Sequence, residues 1–311
     1  MANLIKLLSH DDANVRRAAL RAFAYTKNED VAKSVVPLLK DKFWQVRESA
    51  VKYFEAIKYK KILPIFFGRL GTDPAKGRKV LIDILSTKSQ EKETKGDNKN
   101  LEPSLPVKKA IAKAIAIIDE NYLINPLIKS LGSDNTNMQL AAISALGNIG
   151  SEIAVKPIME LLDSDNLSLI IASIVALGKL KSEECVDKLI KLSAHENAQV
   201  RTEAIISLNH IKDNRAISTY IRALADSDPK VKRTAVIALG NTRDEENVDY
   251  LLGLAFDENV MIRKAVISSY VNFPNEKVIE KLIEIMDKEE NEEVLLEAAV
   301  VYNKLAARLY K

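Results

Sequence analysis

Catalysis needs nucleophiles, bases or ligands that converge, and this chain has few of them. Its imidazoles are His10, His195 and His210, and its single thiol is Cys185. Most of the chain separates His10 from His195, and isolated ligands make no metal site. His10 and His195 therefore read as turn residues that hydrogen-bond locally, and His210 falls in the exposed row of a second helix. Glu183 and Glu184 precede Cys185, and their charges raise a thiol pKa, the opposite of nucleophile activation. There is no phosphate-cradling glycine loop and no Ser/His/Asp signature. The acidic residues follow turns and solvated helix faces, so no carboxylate pair stands out. The expectation is no catalytic residue, no metal and no cofactor. A lone cysteine forbids an intrachain disulfide and points to a reducing compartment. No apolar run approaches the ~20 residues of a membrane span, and no secretion signal opens the chain. A cytoplasmic protein without a membrane partner is expected.

What recurs is a helical pattern. Val15-Arg-Arg-Ala-Ala-Leu-Arg-Ala-Phe23, Val200-Arg-Thr-Glu-Ala-Ile-Ile-Ser-Leu208 and Val231-Lys-Arg-Thr-Ala-Val-Ile-Ala-Leu239 share an aliphatic start, a base and small or apolar residues at helical spacing. The leading position returns at Val15, Val46, Gly77, Val107, Met138, Leu169, Val200, Val231, Ile262 and Val294. That period of about 31 residues marks a stacked solenoid, in which each repeat buries its apolar face against its neighbours. One repeat resolves into a first helix over Ala154–Leu162, a capping turn at Ser164-Asp165-Asn166, and a second helix over Leu169–Leu180. Asp228-Pro229 is the clearest start signal, a cap residue followed by proline at the first helical position. Few aromatics, glycines and prolines complete an all-α composition.

The chain resembles the HEAT family, most closely its short-repeat, phycobilisome-lyase-type form, within the armadillo-like α-solenoids. The resemblance rests on Val15-Arg16, Val46-Arg47, Val200-Arg201 and Ile262-Arg263, and on the endings Ala145-Leu146-Gly147, Ala176-Leu177-Gly178 and Ala238-Leu239-Gly240. It implies an all-α solenoid, a right-handed superhelix of about ten 31-residue helix pairs, with second helices on the concave side. It also implies a ladder of turn Asp and second-helix base. Asp41/Arg47, Asp226/Lys232 and Asp257/Arg263 fit it, while Ser133/Gln139 and Ser164/Ile170 interrupt it at the centre. Family members include enzymes. Deoxyhypusine hydroxylases hold iron with several His-Glu pairs, but only His195-Glu196 exists here. Alkyl-base DNA glycosylases use a basic groove with central aromatics, whereas Trp44 and Phe43 fall in an inter-helix turn. Nothing specifically indicates the tetrapyrrole site of a phycobilin lyase.

Function then rests on the exposed rows of the second helices. Residues 1–120 hold 24 Lys/Arg against 15 Asp/Glu, and residues 121–311 hold 22 against 28. A basic stripe of Arg17, Arg21, Lys52, Lys79, Lys109 and Lys113 is expected at one end, suited to an acidic partner. At the centre, Leu140, Ile170, Ile171, Val175, Ile206 and Ile237 predict an apolar groove for a protein or peptide segment. The expected function is a non-catalytic protein-binding scaffold, adaptor or assembly factor. Alternatives are a nucleic-acid-binding array using the basic half, or a lyase-like chaperone or enzyme.

Between Ile84 and Val107 the period continues, but Lys92-Glu-Thr-Lys-Gly-Asp-Asn-Lys-Asn100 cannot bury a first helix. The expected organisation is repeats over 1–86, a polar, protease-sensitive loop over 87–105, and repeats over 106–311. Leu295, Leu296 and Val300 are expected to face outward on the last helix.

Overall fold

The computed structural model describes residues 2–70, 72–74, 76–86 and 105–309. These residues form helices and turns with no strand. They gather into two compact units, Met1–Ile158 and Met159–Lys311. The polar stretch 87–104, which the sequence assigns to a loop, lies outside the described residues.

The first unit contains α1 (Ala2–Lys6), α2 (Ala13–Tyr25), α3 (Ala32–Val35), α4 (Trp44–Ala56), α5 (Leu63–Arg69), α6 (Gly77–Ser86), α7 (Leu105–Ile118), α8 (Ile124–Ser130) and α9 (Thr136–Ile149), and α10 (Val155–Glu160) begins in it. The second contains α11 (Leu167–Leu180), α12 (Val186–Leu192), α13 (Ala198–Ile211), α14 (Ile217–Ala223), α15 (Pro229–Thr242), α16 (Val248–Leu252), α17 (Val260–Tyr270), α18 (Glu276–Lys288) and α19 (Glu292–Leu309). Within the second unit, α11, α13, α15, α17 and α19 pack one upon the next, and α12, α14 and α18 back onto their own second helices. That is the solenoid the period predicts.

Local signals explain the helix boundaries. The second helices α9, α11, α13, α15 and α17 begin at Asn135, Asn166, Asn197, Asp228 and Asn259, whose side chains accept hydrogen bonds from first-turn amides. They read longer than expected: α11 starts at Leu167 and α4 already at Trp44, which is therefore helical rather than in the turn. First helices other than α18 are shorter, and 3-10 turns such as Glu152–Ala154 and Leu161–Asp163 flank several of them. Of the leading period positions, Val46, Val107, Leu169, Val200, Val231, Ile262 and Val294 are buried, while Val15 is half-buried and Met138 is exposed; further along the same helices Leu81, Leu146, Leu177, Leu208, Leu239 and Val266 are buried.

At the break, packing order departs from chain order. The period places α6 on α4, but α7 packs along α4, and α6 packs against α7 and α9 instead. Asn148 Nδ2 donates to Leu85 O at 2.5 Å, tying the end of α6 to α9. The apolar content of the two helices accounts for the exchange. In α7, Val107, Ile111, Ala112, Ala114, Ile115, Ala116 and Ile118 are buried, whereas α6 buries Gly77, Leu81 and Leu85. The helix with the wider apolar surface takes the place that covers it from more sides. Phe67 stacks edge-on against Tyr122, and Arg78 Nε donates to Tyr122 O at 2.9 Å, fixing the exchanged helices to α5 and the α7–α8 turn.

Candidate functional site

The turn between first and second helices repeats one construction. Its lead residue accepts from the amide two residues on: Asp41 from Phe43, Ser133 from Asn135, Ser164 from Asn166, Asp226 from Asp228, Asp257 from Asn259. His10 and His195 occupy this position and do the same through Nδ1, to Asp12 N at 3.0 Å and Asn197 N at 2.9 Å. Both are turn-forming residues, as expected. Among the described residues no group of three His, Cys, Asp or Glu could hold a metal. Cys185 is buried, its thiol donates to Ser182 O at 3.1 Å, and its pKa is pushed up to about 11. Burial is the main cause, with the neighbouring Glu184 carboxylate a lesser one.

The ladder exists, but its pairs run between repeats. Arg16 clasps Asp41, Arg201 clasps Asp226, Lys232 meets Asp257, and Arg263 clasps Glu289, at 2.7–3.1 Å. The six-residue spacing read from the sequence is instead a link to the backbone, as in Arg47 Nη1 to Asp41 O at 2.7 Å and Arg263 Nη1 to Asp257 O at 2.9 Å. Burial raises the Asp226 carboxyl, but hydrogen bonds from Arg201 and the Asp228 amide outweigh it and hold the group below its usual range. At the centre, Gln139 donates to Leu131 O and Ile170 is buried, so neither carries an ion pair. Two open clefts of about 670 and 500 Å³ lie beside the first and last of these pairs, around Arg16/Asp41 and Arg263/Glu289.

The two sequence-predicted rows fare differently. In the second unit, Ile171, Val175 and Ile206 are half-buried and Ile237 is 40% exposed, on the successive helices α11, α13 and α15. Ile170 does not join them. It is 6% exposed and belongs to the core, because an aliphatic side chain at the position where other repeats carry a base has no ion pair to make and gains by burial. Leu140 is half-buried on α9 of the first unit. The basic residues all lie in the first unit. Arg21, Lys52 and Lys79 are exposed, and Arg17, Lys109 and Lys113 are half-buried. They are interleaved with carboxylates: Lys52 pairs with Glu48 at 2.7 Å, and Lys52 and Lys113 both act on Glu55. Burial nevertheless raises the Glu55 carboxyl above its usual range. On the last helix Leu296 and Val300 face outward, 68% and 39% exposed, and Leu295 is half-buried.

Sequence reasoning missed the glycines that set repeat spacing. Gly178 and Gly240, read as helix endings, lie inside α11 and α15. A Cβ on Gly178 would fall 2.5 Å from Ser207 Oγ, and one on Gly240 would fall 2.6 Å from Ser269 Cβ.

Stacked helix pairs of this kind define an α-solenoid. The chain belongs to the HEAT-repeat family: a model described as HEAT repeats matches residues 1–86, 100–177, 161–222 and 217–303. A search of curated proteins finds no match. Among solved structures, an engineered protein aligns over 98% of this chain and 88% of its own, at 19% identity and TM-score 0.45. A designed armadillo repeat protein in complex with the peptide (KR)4 covers 58% of this chain and 98% of its own, at 19% identity and TM-score 0.45. A chain from the structure describing Kap95p binding to RanGDP covers 98% of this chain and 47% of its own, at 13% identity and TM-score 0.52. This chain thus spans about half of that one, and the likeness concerns the fold alone.

Proposed function

We propose that this chain is a non-catalytic protein-binding scaffold, and that the second-helix face of the unit Met159–Lys311 receives a segment of a partner protein. The observation that carries this reading is the row Ile171, Val175, Ile206 and Ile237, which is only partly covered although Ile174, Leu177, Ile205, Leu208, Val236 and Leu239 on the same helices are buried. A helix face in contact with water alone is normally polar, and a contiguous apolar strip gains by being covered. Arg233 is exposed one turn before Ile237 on α15, so the occupant suited to this face is an amphipathic segment with apolar side chains over the row and a carboxylate toward Arg233.

The test begins by identifying the partner by cross-linking and mass spectrometry, then titrating it against the chain and its Ile171→Ser/Val175→Ser variant. Binding through this face predicts at least a tenfold loss of affinity with Tm nearly unchanged. A large fall in Tm, with unchanged affinity of the folded protein, would show that the row serves the core.

A further inference from the structure

In the filled arginine rungs of the ladder, the guanidinium is used completely. Nη1 donates to two carbonyls of its own turn, and Nε and Nη2 clasp the two oxygens of a carboxylate brought by the next repeat. Arg16 meets Asp41 in this way at 2.8 and 3.0 Å, Arg201 meets Asp226 at 2.8 Å twice, and Arg263 meets Glu289 at 2.7 and 2.9 Å. Such paired, charge-assisted contacts are the strong form of the interaction.

Arg47 is built identically on the turn side, with Nη1 donating to Asp41 O at 2.7 Å and Lys42 O at 3.1 Å. Its Nε is shut away from water and has no acceptor. By the 25-residue spacing of the Arg16–Asp41 and Arg201–Asp226 pairs, the carboxylate position for Arg47 falls on Thr72, whose hydroxyl makes a 3.5 Å contact with Asp73 O. Pro74 follows, so the amide that holds the acceptor in the filled turns is missing. Asp73 lies one residue off, and its carboxylate accepts from Lys76 N at 3.0 Å at the start of α6. Asp41, the carboxylate that acts on Arg47, is already clasped by Arg16. A second cation adds to the imbalance, since Arg69 Nη2 donates at 3.0 Å to Leu39 O, two residues before the Asp41 carbonyl that Arg47 binds. Burial lowers the Arg47 pKa, and the nearby Arg69 charge lowers it further.

We propose that Arg47 and Arg69 form a receptor for an external oxyanion, one oxygen for Nε and one for Nη2 of Arg47, with Arg69 supplying a second positive charge. The ligand chemistry is a carboxylate or a phosphoryl group, both of which match a guanidinium fork. This site lies in the unit Met1–Ile158 and is independent of the apolar face proposed above.

Sodium acetate and sodium phosphate are titrated into the full chain at ionic strength held constant with NaCl, following the Arg47 Nε–Hε resonance by NMR and Tm in parallel. The expected result is a saturable shift of that resonance with a rise in Tm. Tighter saturation by acetate assigns the site to protein carboxylates, and by phosphate to phosphoryl groups. Thr72→Asp places a carboxylate where the filled rungs have one, so it should raise Tm without added anion and abolish the titration. Arg69→Gln leaves the fork in place and should weaken saturation at least tenfold. A resonance indifferent to both anions, or an undiminished response in Thr72→Asp, overturns the proposal.

Discussion

Gly178 shows how much one atom controls at the residue scale. It lets α11 approach α13 so closely that Ser207 Oγ donates to Ile174 O at 2.9 Å across the helix pair. Adding a methyl group requires the two helices to part, because its neighbours include the Ser207 Cα at 2.9 Å rather than only a movable side-chain tip. Gly178→Ala should therefore cost about 1–3 kcal/mol, as overpacking does. Gly68 supplies the control. It is also helical, but a Cβ there meets nothing within 4 Å, so Gly68→Ala should gain about 0.5–1 kcal/mol from backbone entropy. Urea unfolding of the two variants checks the opposite signs. The Ala-Leu-Gly triplet is visible in the sequence, yet a glycine required for a cap and one required for a close approach are spelled alike. His10 and His195 were more legible, because a residue at a fixed turn position must satisfy the same amide whatever its type.

At the scale of the element, α13 opens and closes by different means. Asn197 accepts from Gln199 N and Val200 N at its start, and Lys212 ends it in the left-handed region at φ 64°. Lys181 and Arg243 end α11 and α15 in the same conformation. A non-glycine residue there costs about 1–2 kcal/mol, offset in part by a cation near helix carbonyls, worth about 0.3–1 kcal/mol. Lys212→Gly should accordingly raise stability by about 0.5–1 kcal/mol, read as an increase in Tm without loss of helical signal. The second helices were readable because caps and apolar spacing agree at Asn166, Asn197 and Asp228. The exchange of α6 and α7 was not, since Gly77 and Val107 both keep the period. Period fixes the faces of a helix, while the choice of neighbour depends on how much apolar surface each candidate must cover.

At the scale of the whole molecule, three of the four charged rungs among the described residues lie in the unit Met159–Lys311 and one lies in Met1–Ile158. The Arg263 hydrogen bonds hold the Glu289 carboxyl below its usual range, as those of Arg201 and the Asp228 amide do for Asp226 despite burial. A carboxyl whose folded pKa is depressed stabilises fully above its unfolded value of about 4, and that stability is lost as pH falls through the folded pKa. Acid should thus weaken the second unit more than the first. Trp44, the single tryptophan, reports on the first unit alone, whereas helical circular dichroism reports on both. Urea midpoints from the two signals should separate as pH falls from about 5 toward 3, with the dichroism midpoint dropping further. Coincident midpoints throughout would contradict this account. The exchanged helices also set an order of events during synthesis. Repeat proteins are usually pictured as closing one module at a time as the chain emerges. Here α4 packs on α2 at once but meets its next long helix, α7, only after α5 and α6 have been made, so the part of α4 that α7 covers stays bare until residues 105–118 emerge. A nascent chain halted before Leu105 would hold its early repeats complete in sequence and unfinished in structure, and a cell would have to shelter that surface until translation passed the break.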